Sequence, residues 1–502
     1  MRTDTKRILS PLLIPATIVS LCWHGAPGGE IAVDDATQMS QAVARAQPGD
    51  TLILADGLYK DVRLDFKAKG AERRPITLRP QTPGKATITG ESVVVISGEY
   101  LVVSGFVFDQ AWRSGVVSFA GATRCRLTDC AFIESGNPKS TYSHMIGLAN
   151  HSQHNRVDHC YLLGNLSMGI GVRIGQNDFE NTHNRFDHNH FKDIKRRSSN
   201  GQEAIQFGQG GLSDRMPQHS LAEFNLFDNA SGDAEIISNK SCYNTIRYNT
   251  FRNCSAMLVL RGGSHAHVEG NFFINNAGGI RVHDSYHTIV GNYIEGCRRA
   301  GIYMPTAAGL GELGYYGPVN YCVVAHNTIV NAGKVGLHIG EPNMQGKELW
   351  RVQLCNNTFI GNLIVGNRGV LVRDDGALRS TWRNNIVWAT GEADVGYEHQ
   401  GIKRVDPGMA KKDGLYRPSN KKSAVVDPPS PNFRDVNAPI PGLTTDMDGQ
   451  KRGSKPDIGA DELSDEPPVR RPLTPKDVGP TWMQGDPSKI QRIKSPRPIP
   501  KR

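Results

Sequence analysis

The chain has 502 residues, of which 38% are hydrophobic and 21% charged, and it contains 54 glycines. This composition excludes a wholly disordered chain, a collagen-like protein and a polytopic membrane protein. The net charge of +9 lies mostly at the two ends, because the first 28 residues carry +2 and residues 464–502 carry +5. Little charge remains between them, so the sequence predicts no nucleic-acid partner.

The N-terminal segment has the pattern of a secretory signal. Lys6 and Arg7 precede an apolar run from Ile8 to Trp23, and small residues follow this run. Residues 1–28 are therefore predicted to be a signal peptide of a secreted or periplasmic protein. No later stretch of the sequence is apolar for long enough to insert into a membrane, and we expect a monomer.

A short amphipathic segment follows the signal. Met39, Ala42, Val43 and Ala46 have helical spacing, and the apolar run Thr51–Leu54 comes shortly after them. This pattern predicts a helical turn or two that covers the open end of a β-sheet protein.

One phrase then recurs along the chain: an Asn, any residue and a large apolar residue, followed by a β-branched run. The spacings between successive phrases are 36, 24, 22, 21, 35, 30 and 27 residues. The phrases begin at Asn189, Asn225, Asn249, Asn271, Asn292, Asn327, Asn357 and Asn384. A short basic period with some longer intervals is typical of a solenoid with loop insertions, and the periods have room only for short strands. The sequence predicts an all-β, single-stranded parallel β-helix over residues 29–463, with these Asn side chains stacked on one edge.

The last part of the chain differs in composition. Residues 464–502 contain nine prolines and few apolar residues. This Pro/Lys/Arg-rich segment is predicted to be a disordered tail.

Two acidic residues mark a candidate site within the solenoid. Asp233 and Glu235 lie two positions apart on a predicted strand, so their side chains share a face. Carboxylates without neutralising partners repel each other and favour a cation, and hard oxygen ligands suit Ca²⁺. The alternative is a pair of solvated surface acids.

Basic residues follow the acidic pair at the spacing of one coil. Lys240 comes five residues after Glu235, and Arg261 comes 21 residues after Lys240. Because neighbouring coils lie ~4.8 Å apart, we expect the two cations to lie near each other beside the acids.

Further polar residues recur at similar distances from the Asn of each coil. Counting from the Asn places Arg281, His283, Tyr303 and His338 on the same flank as the acids and the two cations. The count predicts an outward column of side chains that would bind an anionic polymer in a groove.

Several of these stretches resemble a known family. Asn200-Gly-Gln-Glu-Ala-Ile-Gln, Gly232-Asp-Ala-Glu-Ile-Ile-Ser-Asn-Lys-Ser241 and Leu258-Val-Leu-Arg261 are similar to polysaccharide lyase family 6, which contains alginate lyases and chondroitinase B. The resemblance implies a right-handed, pectate-lyase-like β-helix that cleaves uronic-acid-containing polysaccharides by Ca²⁺-assisted β-elimination.

The resemblance also implies roles for individual residues. Lys240 matches the family's catalytic base and Arg261 its catalytic acid. The implied calcium ligands are Asp233, Glu235 and Asn200, with Glu203 as the alternative to Asn200.

This sequence departs from the family pattern at two positions in these stretches. Position 233 holds Asp where the family has Glu, and Gly262 follows Arg261 where the family has His. His265 or His283 is the candidate to fill the space of that missing His.

The expected function is that of an exported lyase acting on a 4-linked uronic-acid polysaccharide, with alginate as the substrate. A dermatan or chondroitin sulfate lyase is the alternative within the family. A β-helix glycoside hydrolase, for which Asp374 and Asp375 are the adjacent acids on the later coils, and a non-catalytic carbohydrate-binding protein are the alternatives outside it.

Overall fold

The computed structural model describes residues 28–174, 181–307, 316–345, 348–350, 352–426 and 443–492. All but the last residue of the predicted signal peptide therefore lie outside the described residues. Within the described ranges, no helix has the length and apolar character needed to cross a membrane.

Three long sheets form the body of the molecule, and every neighbouring pair of strands within them is parallel. We name the sheets A, B and C in the order in which the chain first enters them. The chain passes from sheet A to sheet B to sheet C and then returns to sheet A one coil further on, as in a right-handed parallel β-helix. The predicted fold class is thereby confirmed.

All three sheets consist of short strands, one strand of each sheet per coil. The 14 strands of sheet A are Glu30–Val33, Thr51–Leu54, Ile76–Pro80, Leu101–Ser104, Arg126–Thr128, Arg156–Asp158, Arg185–Asp187, Leu221–Glu223, Thr245–Arg247, His267–Glu269, Thr288–Val290, Val323–Ala325, Thr358–Ile360 and Thr381–Arg383. The 14 strands of sheet B are Gly57–Lys60, Ala86–Gly90, Val107–Ala111, Ala131–Ile133, Tyr161–Leu163, His190–Ile194, Leu226–Ala230, Thr250–Arg252, Phe272–Ile274, Tyr293–Glu295, Thr328–Val330, Leu363–Gly366, Asn385–Ala389 and Ile402–Lys403. The 13 strands of sheet C are Arg63–Lys69, Val93–Glu99, Val117–Thr123, His144–Ala149, Met168–Val172, Ile205–Phe207, Glu235–Lys240, Met257–Gly262, Ile280–Val282, Ala300–Met304, Val335–Ile339, Val370–Asp374 and Asp394–Gly396.

A few elements lie outside the three sheets. Apart from a helix at the first coil, those among the described residues are two antiparallel hairpins and two short 3₁₀ turns: Asn343–Gln345 with Glu348–Trp350, Met409–Lys412 with Leu415–Pro418, Gly211–Arg215, and Pro487–Lys489.

The α-helix Ala36–Arg45 covers the first coil. The Asp35 carboxylate caps it by accepting hydrogen bonds from the backbone N–H groups of Thr37 and Gln38, both at 2.8 Å. Met39 and Ala42 are buried against the strands below. The predicted amphipathic cap is therefore confirmed.

Stacked side chains fill the interior between the sheets. The rings of Phe191, Phe227, Phe251 and Phe273 lie above one another with centroids 4.6–4.8 Å apart. Each coil thus buries its apolar residue on the equivalent residue of the previous coil, and the repeat in sequence becomes a continuous core.

An asparagine ladder follows the turn before sheet B. The Nδ2 of each Asn donates to the Oδ1 of the next at 2.9–3.0 Å. The ladder contains Asn189, Asn225, Asn249, Asn271, Asn292, Asn327, Asn362 and Asn385. The first six were predicted.

The last two predicted ladder positions are wrong. Asn357 precedes a strand of sheet A rather than sheet B, and its Oδ1 accepts a hydrogen bond from the backbone N–H of Cys322 at 2.9 Å. Asn384 lies one residue before the ladder position. Both errors arise because Asn satisfies backbone groups at more than one turn of a coil, so the phrase does not identify the turn.

The C-terminal segment differs from the prediction of disorder. Residues 464–492 run along the outside of sheet B, and Met483 is buried with Val107, Ala131, Ile133 and Tyr161. The prolines that favoured disorder are compatible with this arrangement, because an extended segment that packs through side chains needs few backbone hydrogen bonds of its own.

Candidate active site

The candidate site lies on the outer face of sheet C, where the strands Glu235–Lys240 and Met257–Gly262 are neighbours. Asn239 pairs with Leu260, but Lys240 pairs with Gly262, so Arg261 is an extra residue in the ladder. Such a bulge re-aims a side chain. Lys240 and Arg261 line one cavity of about 230 Å³, as the coil spacing predicted, although they are not partners in register.

Each cation of the cavity approaches a carboxylate. The Lys240 Nζ lies 3.5 Å from Glu203 Oε1, and both side chains are buried. The Arg261 Nη1 lies 3.7 Å from Glu235 Oε1, while the Ser238 hydroxyl donates to the other oxygen of Glu235. The predicted acids and bases therefore form one charged cluster.

Two carboxylate oxygens of this cluster are buried without a hydrogen-bond partner among the described residues. They are Glu203 Oε2 and Asp233 Oδ2. Burial and the nearby charges of Glu203 and Glu235 raise the pKa of Asp233 to about 6. Unpartnered acceptor oxygens among mutually repelling acids are what a bound divalent cation would satisfy, so the residues fit the predicted Ca²⁺ site.

The two candidates for the third calcium ligand differ in environment. Asn200 lines the cavity but is exposed, and its Oδ1 accepts a hydrogen bond from the backbone N–H of Gly201 at 3.0 Å. Glu203 is 1% exposed and directs an unpartnered oxygen into the buried cluster. The geometry thus favours Glu203 over Asn200.

A second acidic cluster lies elsewhere in the described part of the chain. Carboxylate oxygens of Asp446, Asp448 and Asp461 lie within 4.8 Å of one another. Arg417 Nη1 donates to Asp448 at 2.5 Å and to Asp461 at 2.8 Å, and Asp446 accepts backbone hydrogen bonds. Their partners are protein groups, and this cluster supports the C-terminal coils.

The outward column that the sequence predicted is present on the next coils of sheet C. Arg281 pairs in register with Tyr303, and Tyr303 pairs with His338. These three side chains line a cavity of about 620 Å³ that continues the groove away from Lys240. The Asp375 carboxylate lies 2.8 Å from His338 Nε2.

His283 lies beside Arg281, as the count predicted, but it is buried instead of facing outward. Its side chain is 0% exposed, and its Nε2 accepts a hydrogen bond from Arg281 Nε at 2.9 Å. Burial and the charges of Arg281 and Arg261 hold its pKa well below the usual range. The Tyr316 ring packs on it, with the two ring centroids 4.4 Å apart.

His265 does not fill the space of the His that follows the catalytic Arg in the family, where this chain has Gly262. Its ring stacks between those of Tyr243 and Tyr286 at a turn, with centroids 4.6 and 4.9 Å away. It belongs to a structural stack of rings along the solenoid.

Sequence reasoning missed three side chains around the site. Gln206 Nε2 donates to Glu203 Oε1 at 3.1 Å, and Gln206 Oε1 lies 3.0 Å from His144 Nε2. Burial lowers the pKa of His144 to about 4, so this ring is neutral and donates to the amide oxygen. Gln206 belongs to a stretch that already carried the family resemblance, whereas no pattern indicated His144.

Tyr316 is the third missed residue. Its ring centroid lies 5.1 Å from the Arg261 guanidinium and 4.9 Å from that of Arg281. The 35-residue interval between Asn292 and Asn327 indicated an insertion here. Sequence alone does not reveal which inserted residue returns to the groove.

The fold and this groove are those of the polysaccharide lyases that are built on a parallel β-helix. The family model described as Chondroitinase B matches residues 33–428. The chain therefore belongs to the chondroitinase B family, polysaccharide lyase family 6.

Solved structures agree with this assignment. A mutant of the PL6 family alginate lyase AlyGC is 30% identical over 78% of this chain and 55% of its own, with a TM-score of 0.71. AlyGC itself is 28% identical over 88% of this chain and 59% of its own, with a TM-score of 0.72. This chain thus spans little more than half of the AlyGC chain.

A further solved relative has a length closer to that of this chain. It is a mannuronic acid specific polysaccharide family 6 lyase from human gut microbiota, 27% identical over 75% of this chain and 91% of its own, with a TM-score of 0.65. Among curated proteins, no sequence matches this chain.

Proposed function

We propose that this protein is an exported, monomeric polysaccharide lyase that cleaves 4-linked uronic-acid polysaccharides by β-elimination, with alginate as the substrate. The observation that carries the proposal is that Lys240 and Arg261 line one cavity with Glu203, and that each of the two cations approaches a buried carboxylate, Glu203 or Glu235. Alginate is favoured because the solved relatives described above are alginate or mannuronic acid lyases.

Elimination requires a base for the C5 proton and stabilisation of the departing O4. Lys240 is the base, because its amine reaches the cavity and a neutral amine can accept a proton. Arg261 stays charged at any relevant pH, so its N–H groups stabilise the developing negative charge on O4. Arg281, Tyr303 and His338 bind neighbouring carboxylates and sugar rings along the groove.

Asp233, Glu235 and Glu203 are the residues that would hold Ca²⁺, with Asn200 at the edge of the cavity. A bound Ca²⁺ supplies a Lewis acid that neutralises the uronate carboxylate and makes the C5 proton more acidic. The residues of the chain then orient the sugar: Arg261 and Arg281 contact its anionic groups, and Lys240 reaches C5.

A glycoside hydrolase is disfavoured by the surroundings of its candidate acids. Asp375 bonds with His338 and Arg373, and Asp374 accepts backbone N–H groups of a turn at 3.0 and 2.7 Å. Neither carboxylate is available as the acid and base pair that hydrolysis needs.

The products test the proposal. Purified mature protein is incubated with polymannuronate, polyguluronate and dermatan sulfate, and the near-ultraviolet absorbance of 4,5-unsaturated ends is followed. We expect absorbance to rise with one of the two alginate polymers. New reducing ends without absorbance would identify a hydrolase, and a rise with dermatan sulfate alone would identify the chondroitinase B-like alternative.

Chelation tests the metal. Excess chelator is expected to abolish the absorbance change, and added Ca²⁺ is expected to restore it, because the three carboxylates then regain their cation. Mg²⁺ serves as the control, since it binds poorly to flexible all-protein oxygen sites. Full activity in chelator would remove the metal from the mechanism.

A further inference from the structure

Tyr316 contacts both arginines that face the proposed substrate. Its ring lies 5.1 Å from the Arg261 guanidinium and 4.9 Å from that of Arg281, which are distances typical of cation–π contacts. The ring also packs on His283 with centroids 4.4 Å apart. The Tyr316 ring therefore contacts the proposed catalytic group Arg261, the proposed substrate-binding group Arg281 and the buried His283.

The backbone around Tyr316 is fixed to the turn that follows His283. Asp284 N–H donates to Gly317 O at 3.1 Å, and the Ser285 hydroxyl donates to Pro318 O at 2.7 Å. A Cβ on residue 317 would lie 2.1 Å from Asp284 Oδ1, so glycine allows this approach without a shift of the Asp284 side chain. These contacts place the neighbouring Tyr316 ring over the groove.

The chemistry of the contact matters for the arginines. A carboxylate that holds a guanidinium occupies its N–H donors, whereas an aromatic ring attracts the cation through its π face and needs no donor. Arg261 and Arg281 lie on adjacent strands of sheet C and are offset along them, since Arg281 pairs with Val259. Both guanidinium groups nevertheless lie within 5.1 Å of the Tyr316 ring. Their donors can therefore serve anionic groups of one bound polymer.

We infer that Tyr316 is a positioning residue, which holds the guanidinium groups of Arg261 and Arg281 toward the anionic groups of the bound uronate polymer and leaves to the substrate the N–H groups that Glu235 and His283 do not engage. The inference rests on the proposed function. It concerns the ring, and the hydroxyl has no part in it.

Three variants test the inference. Tyr316→Leu removes the π face, Tyr316→Phe retains it, and Tyr321→Leu is the matched control, because Tyr321 lies in an exposed ring stack. We expect Tyr316→Leu to lower kcat/KM roughly tenfold through a lower kcat and a higher KM, since misplaced groups lose both orientation and binding. Tyr316→Phe and Tyr321→Leu should stay within about twofold of the wild type.

A double-mutant cycle separates positioning from a defect in folding. In an Arg281→Ala background, the effect of Tyr316→Leu on KM should shrink, because the ring then has one arginine left to hold. Binding of tetramannuronate, measured by calorimetry in a Lys240→Ala background, should weaken with Tyr316→Leu. An undiminished effect in the Arg281→Ala background would overturn the inference.

Two other results would also overturn it: a Tyr316→Leu enzyme as active as the wild type, or a Tyr316→Phe enzyme as impaired as Tyr316→Leu, which would assign the role to the hydroxyl. Failure of the proposed function is a different result, namely no unsaturated product from the wild type on any uronate polymer.

Discussion

Two side chains place the buried amine of Lys240. Glu203 Oε1 lies 3.5 Å from its Nζ. Gln206 donates to the same carboxylate oxygen at 3.1 Å and so helps to fix the orientation of Glu203. The proposed base is thus positioned at the cavity by a carboxylate that a buried amide also contacts.

Replacement of Lys240 distinguishes a base from an electrostatic contact. Lys240→Arg keeps the positive charge, but a guanidinium does not deprotonate, so we expect activity to fall by at least about a hundredfold. Lys240→Ala should lose as much activity and retain binding of the polymer. Initial rates of unsaturated product and thermal unfolding of both variants provide the measurements, and turnover near the wild type in Lys240→Arg would refute the base assignment.

The charged residues of the site could be predicted because strand alternation and coil spacing are regular. Asp233, Glu235, Lys240 and Arg261 obey those rules closely enough to be found without a structure. The burial of His283 could not be predicted, because the Tyr316 ring that packs on it comes from an insertion between two coils. The bulge at Arg261 was also unpredictable, since an inserted residue changes the register without leaving a pattern in the sequence.

The turn after His283 is hydrogen-bonded to the segment that contains Gly317, and Asp284 makes this contact. Asp284 accepts a hydrogen bond from Gly317 N–H, and burial together with the charge of Asp214 raises its pKa to about 7, while Arg215 opposes the shift. The folded protein therefore holds a proton on Asp284 at pH values at which the unfolded chain has lost it.

The pH dependence of stability follows from this shift. The contribution of Asp284 is complete below about pH 4 and is lost as the pH rises through about 7. Asp284→Asn cannot ionise, so its melting temperature relative to the wild type should rise by a few degrees between these pH values. Calorimetry across the range measures the difference, with exposed Asp413→Asn as the control. A difference that does not change with pH would contradict the prediction.

At the scale of the whole molecule, the repeated coils could be predicted and the C-terminal segment could not. From Asn189 onward an Asn recurs once in every coil at the turn before sheet B, so a regular sequence produces a regular solenoid. Residues 464–492 contain no repeat, and their docking depends on a surface that forms only when sheet B exists. Trp482 Nε1 donates to Asp129 O at 2.8 Å, a contact that no local pattern indicates.

The apolar anchor of this segment can be tested. Met483 is 2% exposed in its cluster with sheet B, so Met483→Ala should lower the free energy of unfolding by ~2 kcal/mol or more. Val469→Ala is the matched control, because Val469 belongs to the same segment and is 79% exposed. Urea unfolding measures both, and equal stability of the two variants would show that the segment does not contribute through Met483.

The docked C-terminal segment has a consequence for the order in which the protein folds. The Asn ladder joins neighbouring coils across 21 to 36 positions, whereas the C-terminal segment joins Thr481 to Asp129 across 352 positions and Lys85 to Gln491 across 406. Contacts between near neighbours in sequence form first, because they close short loops. The coils can therefore assemble one upon another as the chain is made, and the C-terminal segment closes over sheet B last, when the surface that receives it is already complete.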